Sequence, residues 1–127
     1  MKKILVSTDF SNASKAGMRF AIQLATQMDL KPVFFHCFQA LIPTAVQHER
    51  IEHALQKQGD DALQKLERFV AKVHRAMKVN AGIYKCAVVE SLNPDKAITN
   101  YAKDHDFQFI CMRTHGAGTV RRIIGTH

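Results

Sequence analysis

Three observations predict a three-layer α/β fold, an open parallel sheet with helices on both faces. Short apolar runs alternate with longer stretches of helical spacing. The runs are apolar almost throughout, as strands buried on both faces must be. Glycines gather directly behind the last run, with Gly116, Gly118 and Gly125 among the final residues.

The first run, KKILVST, carries Ile4, Leu5 and Val6 between polar ends and predicts a buried strand. In DFSNAS behind it, Ser11 or Asn12 supplies a helix cap, because either side chain accepts from first-turn amides. Ala13, Ala16, Phe20, Leu24 and Met28 recur at helical spacing, so a helix is expected over 12–28 with that stripe as its core face. Pro32 blocks its continuation. VFFHCFQ is the second strand, with His36 read as a satisfied core histidine. A loop through Pro43 leads to a long helix from His48 to Met77, whose stripe is Ile51, Leu55, Ala62, Leu66, Phe69, Val73 and Met77, with Gly59 inside it as a candidate break. GIYKCAVVES is the third strand. Asn93 then caps a helix whose first position is Pro94, a favoured pairing. FQFICM is the fourth strand, and TVRRII, behind the glycines, reads as the start of another helix.

The 127 residues suffice for one domain, 1–127. No apolar run is long enough to cross a bilayer, and no signal peptide is read. Cys37, Cys86 and Cys111 are widely separated among apolar neighbours, which favours reduced thiols in a cytoplasmic protein over disulfides or zinc. The formal charge of +7 is spread along the chain and not interleaved with aromatics, so nucleic acid is not the expected partner. The stronger reading is a charge simply spread over the surface; a small anionic ligand is a third reading, placed near Arg113, Arg121 and Arg122. No nucleophile elbow or paired-cysteine metal site occurs, and no general base can be named.

Parallel sheets bind ligands beyond the C-terminal ends of their strands, where the strand order reverses. Those ends carry Ser7-Thr8-Asp9, Cys37-Phe38 and Met112-Arg113-Thr114. With the first and fourth strands as neighbours, Asp9 faces the glycine loop. Gly116 and Gly118 let backbone approach a phosphate, and amides at a helix start favour an anion. His115 either touches that anion or pins the turn. The same glycines also suit a plain tight turn.

KKILVSTDFSNASKAGMRFAIQLA, VFFHCF and ICMRTHGAGTVRRIIGT together resemble the universal stress protein family, across nearly the whole chain and most specifically at its two ends. The resemblance implies a parallel sheet of the adenine nucleotide α-hydrolase type, commonly dimeric. In the nucleotide-binding branch, a glycine, two residues, a second glycine, nine residues, then glycine with Ser or Thr hold ATP phosphates, with magnesium where ATP is bound. An aspartate after the first strand and a backbone group ending the second hold the nucleoside. Residue by residue, Asp9 takes the aspartate's place and Cys37 the adenine-side place. Gly116 takes the second glycine's, and Gly125-Thr126 the closing pair's. Met112, Arg113, His115 and Gly118 complete the implied nucleotide contacts.

The chain departs from that pattern. Arg113 stands at the first glycine, eight residues instead of nine separate Gly116 from Gly125, and Ser7 stands where proline is usual. The guanidinium either fills the phosphate space or pairs with phosphate oxygens. With the loop also shortened, weakened or lost ATP binding is expected. The family's last helix and fifth strand are expected to be missing, as in a truncated domain or a fragment. That would leave the fourth strand an apolar edge open to a second copy or another partner. The function expected is a non-enzymatic stress-response protein with a degenerate ATP site, acting through association as a homodimer or with other proteins. Two alternatives stand beside it: a nucleotide-dependent enzyme of the same fold, hydrolysing ATP slowly or transferring a group, and an interaction module that binds no nucleotide.

Overall fold

Alternate residues of a strand face opposite ways, so the triplet Ile4-Leu5-Val6 needs cover on both sides. All three side chains are fully buried. In the computed structural model, which describes residues 2–42, 48–114 and 117–122, that triplet lies in β1 (Lys3–Ser7). After it come α1 (Asn12–Met28), β2 (Lys31–Phe38), α2 (His48–Met77), β3 (Lys85–Glu90), α3 (Pro94–Asp104), β4 (Phe109–Thr114) and β5 (Ala117–Arg122). One sheet holds the strands in the order β3-β2-β1-β4-β5. The first four strands are parallel. Ile4, Val6 and Phe34 pack with α1 and α2 in one apolar layer, while Leu5, Val33 and Phe35 pack with α3 in the other. The expected three layers are present.

Both capped helices start where the sequence places them. Ser11 caps α1 by accepting from the Ser14 amide at 3.1 Å. Asn93 caps α3 through the Lys96 amide at 3.1 Å, with Pro94 at its first position. Pro32 lies inside β2 without breaking the ladder. Lys31 donates its amide to Lys2 on the β1 side, so the position of Pro32 faces β3, whose pairing starts one residue later, at Val33.

Three expectations are corrected. The buried stripe of α1 is Ser14, Met18, Ala21, Ile22 and Ala25. Phe20 and Met28 are 54% and 50% exposed. The true face lies about 120° around the helix from the expected one, at 3.6 residues per turn. Two apolar stripes coexist in this segment, and the one that brings Ser14 against Thr8 is buried, their hydroxyls 2.8 Å apart. Secondly, α2 runs unbroken through Gly59.

The third correction concerns the chain beyond β4. TVRRII does not begin a helix there: residues through Arg122 form β5, antiparallel to β4, with Val120 paired to Cys111 and Arg121 to Ile110. Thr119 and Val120 are β-branched and favour extended backbone. The ladder groups of β4 supply partners for their amides and carbonyls. β4 therefore has neighbours on both sides, and the open edge expected on it is absent. β5 is antiparallel and is built from the segment expected to hold the loop.

Candidate functional site

The strand order reverses between β1 and β4, whose parallel register pairs Val6 with Cys111. One step further along, Ser7 comes level with Met112. At this end of the sheet a cavity of about 200 Å³ opens among Ser7, Thr8, Asp9, Ser14, His36, Cys37, Pro94, Asp95 and Ile98. The ends of β1 and β2 and the first turn of α3 contribute its walls.

The turn from β1 into α1 is built from short polar side chains. Thr8 and Ser14 are buried. Their paired hydroxyls are tied in further, since Ser14 donates to the Ser11 carbonyl at 2.8 Å and Thr8 Oγ1 accepts from the Phe10 amide at 3.0 Å. Asp9 Oδ1 accepts from the Ser11 amide at 3.0 Å, a side-chain-to-backbone turn of the kind Asp favours. That bond fixes the carboxylate at the exposed lip of the cavity. Phe10 adopts φ 66°, a strained value for a bulky side chain. Its ring is held by His36 at 4.4 Å, by Phe69 edge-on at 5.2 Å and by the Lys65 ammonium at 4.4 Å.

His36 Nδ1 lies 2.9 Å from the Thr8 carbonyl. A carbonyl only accepts, so Nδ1 carries the proton and neutral His36 keeps Nε2 as an acceptor. Burial lowers the pKa of this ring and the Lys65 charge adds to that, while the Thr8 bond and Asp9 oppose it. Cys37 is no activated thiol. It donates to the Ser91 carbonyl at 3.5 Å, and burial and then the Glu90 charge push its pKa up.

Of the residues singled out in the sequence, Asp9 and Cys37 line the cavity together. Met112 and Arg113 lie on β4, and Gly118 lies on β5 paired with Arg113; for these three only the backbone is described. Gly118 thus belongs to a strand ladder, where the sequence placed a loop. His115, Gly116, Gly125 and Thr126 lie outside the described residues. Sequence reasoning missed Ser14, Pro94, Asp95 and Ile98, and it read His36 as core only. The third strand's C-terminal end was the available signal, since the helix start behind it faces the same crevice.

The sequence profile of the Universal stress protein family matches residues 1–127. This chain belongs to the universal stress protein family. No curated protein matches it in sequence. Solved universal stress proteins share its fold. One from Burkholderia pseudomallei superposes with a TM-score of 0.60 at 16% identity, over 90% of this chain and 82% of that one. A universal stress protein in complex with cAMP gives 0.54 at 16% identity, over 86% and 69%. One from Arabidopsis thaliana with AMP bound gives 0.54 at 13% identity, over 87% and 74%. Among the described residues no helix is long and apolar enough to cross a membrane.

Proposed function

We propose that this universal stress protein binds an adenine mononucleotide, nucleoside end first, in the crevice between β1, β2 and the start of α3. It holds ATP more weakly, and it acts through association with other proteins and not by catalysis. The observation that carries this reading is the joint lining of one crevice by Asp9 and Cys37, at the reversal point where parallel sheets receive ligands. The Asp9 carboxylate accepts from nucleoside hydroxyls, and the backbone at Cys37 meets the base edge. The relatives solved with cAMP and with AMP support the ligand class.

A volume of about 200 Å³ is smaller than the roughly 300–1,000 Å³ of pockets that enclose a whole ligand. It suits the nucleoside end of a nucleotide whose phosphate reaches outward. Weak triphosphate binding is supported by the pairing of Arg113 with Gly118 in the β-ladder. Among the described residues no helix start follows β4 to present converging amides, and magnesium enters only with a triphosphate. Self-association belongs to this reading too. With β4 covered, β5 is the outermost strand on that side of the sheet among the described residues, and a homodimer through it is testable by light scattering. Burial of Cys111, with Cys37 and Cys86 unpaired and half-buried, agrees with a reducing, cytoplasmic setting.

Calorimetric titration with AMP and ATP, on the wild type and on Asp9→Ala, tests the ligand assignment. AMP is expected to bind at least about tenfold tighter than ATP, and Asp9→Ala to weaken AMP by about tenfold, roughly 1.4 kcal/mol. No heat at millimolar AMP, or ATP binding tighter than AMP, overturns the reading.

A further inference from the structure

A second cavity, of about 430 Å³, lies at the opposite end of the sheet from the crevice. Two helix ends create it. α1 stops at Asp29, whose φ of 54° turns the chain so that the Leu30 amide returns to the Ala25 carbonyl at 2.8 Å. α2 stops at Met77, and Lys78, at φ 57°, performs the same reversal. The chain then crosses through Val79 and Ile83 to β3. The space beneath it is lined mainly by apolar groups, among them Ile22, Ala25, Leu30, Pro32 and Ile83. Val79 and Ile83 stand 41% and 82% exposed beside it, the kind of apolar surface a small domain shows where something binds.

One buried polar side chain lines this space. His74 is 6% exposed. Its ring stacks on Tyr84, with centroids 5.1 Å apart and planes 13° apart, and meets Phe34 edge-on. Nδ1 lies 2.9 Å from the Val70 carbonyl. It must therefore be the donor, which leaves Nε2 of the neutral ring as a lone-pair acceptor. No described residue bonds Nε2, yet no side-chain nitrogen or oxygen among the described residues is sealed away without a partner. Nε2 therefore reaches accessible space, and the cavity is the space that His74 lines.

We infer that this cavity is a ligand site distinct from the nucleotide crevice, and that it takes an uncharged, planar aromatic molecule bearing a single N–H or O–H donor. The stacked His74–Tyr84 pair offers a flat wall, and the mainly apolar lining, with Asp29 and Lys31 as its charged members, favours an uncharged ligand. The lone acceptor selects a donor and disfavours a carboxylate.

Indole and 1-methylindole are paired probes: methylation removes the donor and adds one methyl group, and the His74→Phe variant separates the two effects. Titrated separately into isotope-labelled protein, indole is expected to shift the amides of Ala25, Thr26, Ile83 and Tyr84 saturably. It should bind about tenfold tighter than 1-methylindole, the worth of one hydrogen bond. His74→Phe keeps an aromatic ring, and should abolish that preference while both probes still bind. Ile83→Asp, at an exposed position on which the fold does not depend, should weaken both probes severalfold. Saturating AMP should leave indole affinity unchanged. The inference is overturned by equal affinities for the two probes in the wild type, by shifts that centre on Asp9 and Cys37, by Ile83→Asp leaving both affinities unchanged, or by no saturable shift at all.

Discussion

Thr8, at the first strand end marked in the sequence, ties the crevice together. The residue is 4% exposed, its hydroxyl meets Ser14 Oγ while accepting from the Phe10 amide, and its carbonyl accepts a hydrogen bond from His36 Nδ1. Thr8→Val keeps the shape but leaves the Phe10 amide without its acceptor. A loss of about 1–3 kcal/mol is expected in chemical denaturation, with AMP affinity falling because the 8–11 turn holds Asp9. An unchanged midpoint would mean that the turn stands on backbone bonds alone. The buried thiols give a pH signature. Burial raises Cys111 and Cys86 to about 11, with the Glu67 charge assisting at Cys86. The folded state thus keeps protons that the unfolded chain, near pH 9, has released. Their contribution is complete below about pH 9 and is lost as pH rises through about 11. Stability measured by denaturant at rising pH should fall across that window, and less in Cys111→Ala. A flat profile would contradict the burial of Cys111.

At the scale of elements, the caps and the face of α2 were legible, with Leu66, Phe69, Val73 and Met77 all at the core, and the face of α1 was not. Ser11, Asn93 and Pro94 act through their own neighbours, so their roles can be read locally. Asn93→Ala should cost about 1 kcal/mol, seen as a lowered melting temperature. Gly59 was misread because a glycine in a helical pattern signals a break only when something forces one. Here a Cβ would meet the Phe38 ring at an ordinary 3.6 Å. Gly59→Ala is therefore expected to stabilise by up to about 1 kcal/mol, and a loss on the same assay would reveal crowding against Phe38. The face of α1 needed tertiary information: Phe20 and Ala21 are adjacent in sequence, and the contact between Thr8 and Ser14 decides which is buried. β5 needed it as well. Glycine, β-branched residues and arginines permit a helix start or a strand, and the ladder of β4 selected the strand. Asp9 and Cys37 were legible because strand ends are predictable. Ile98 and Asp95 were not, because they reach the crevice from α3 on the other layer.

Across the whole molecule, the parallel sheet separates two kinds of chemistry. The C-terminal ends of β1 and β2 gather hydroxyls, a carboxylate and an imidazole acceptor around a small crevice. The opposite end holds a larger, mainly apolar cavity with one imidazole. Net charge +7 favours the approach of an anionic ligand to the molecule generally, so AMP binding should weaken modestly with added salt. Amide shifts of isotope-labelled protein titrated with AMP test the crevice most directly. Saturable shifts centred on Thr8, Asp9, Cys37 and Asp95, reduced in Asp9→Ala, are the expected result. Saturable shifts confined to other parts of the fold, or none at millimolar AMP, would contradict it.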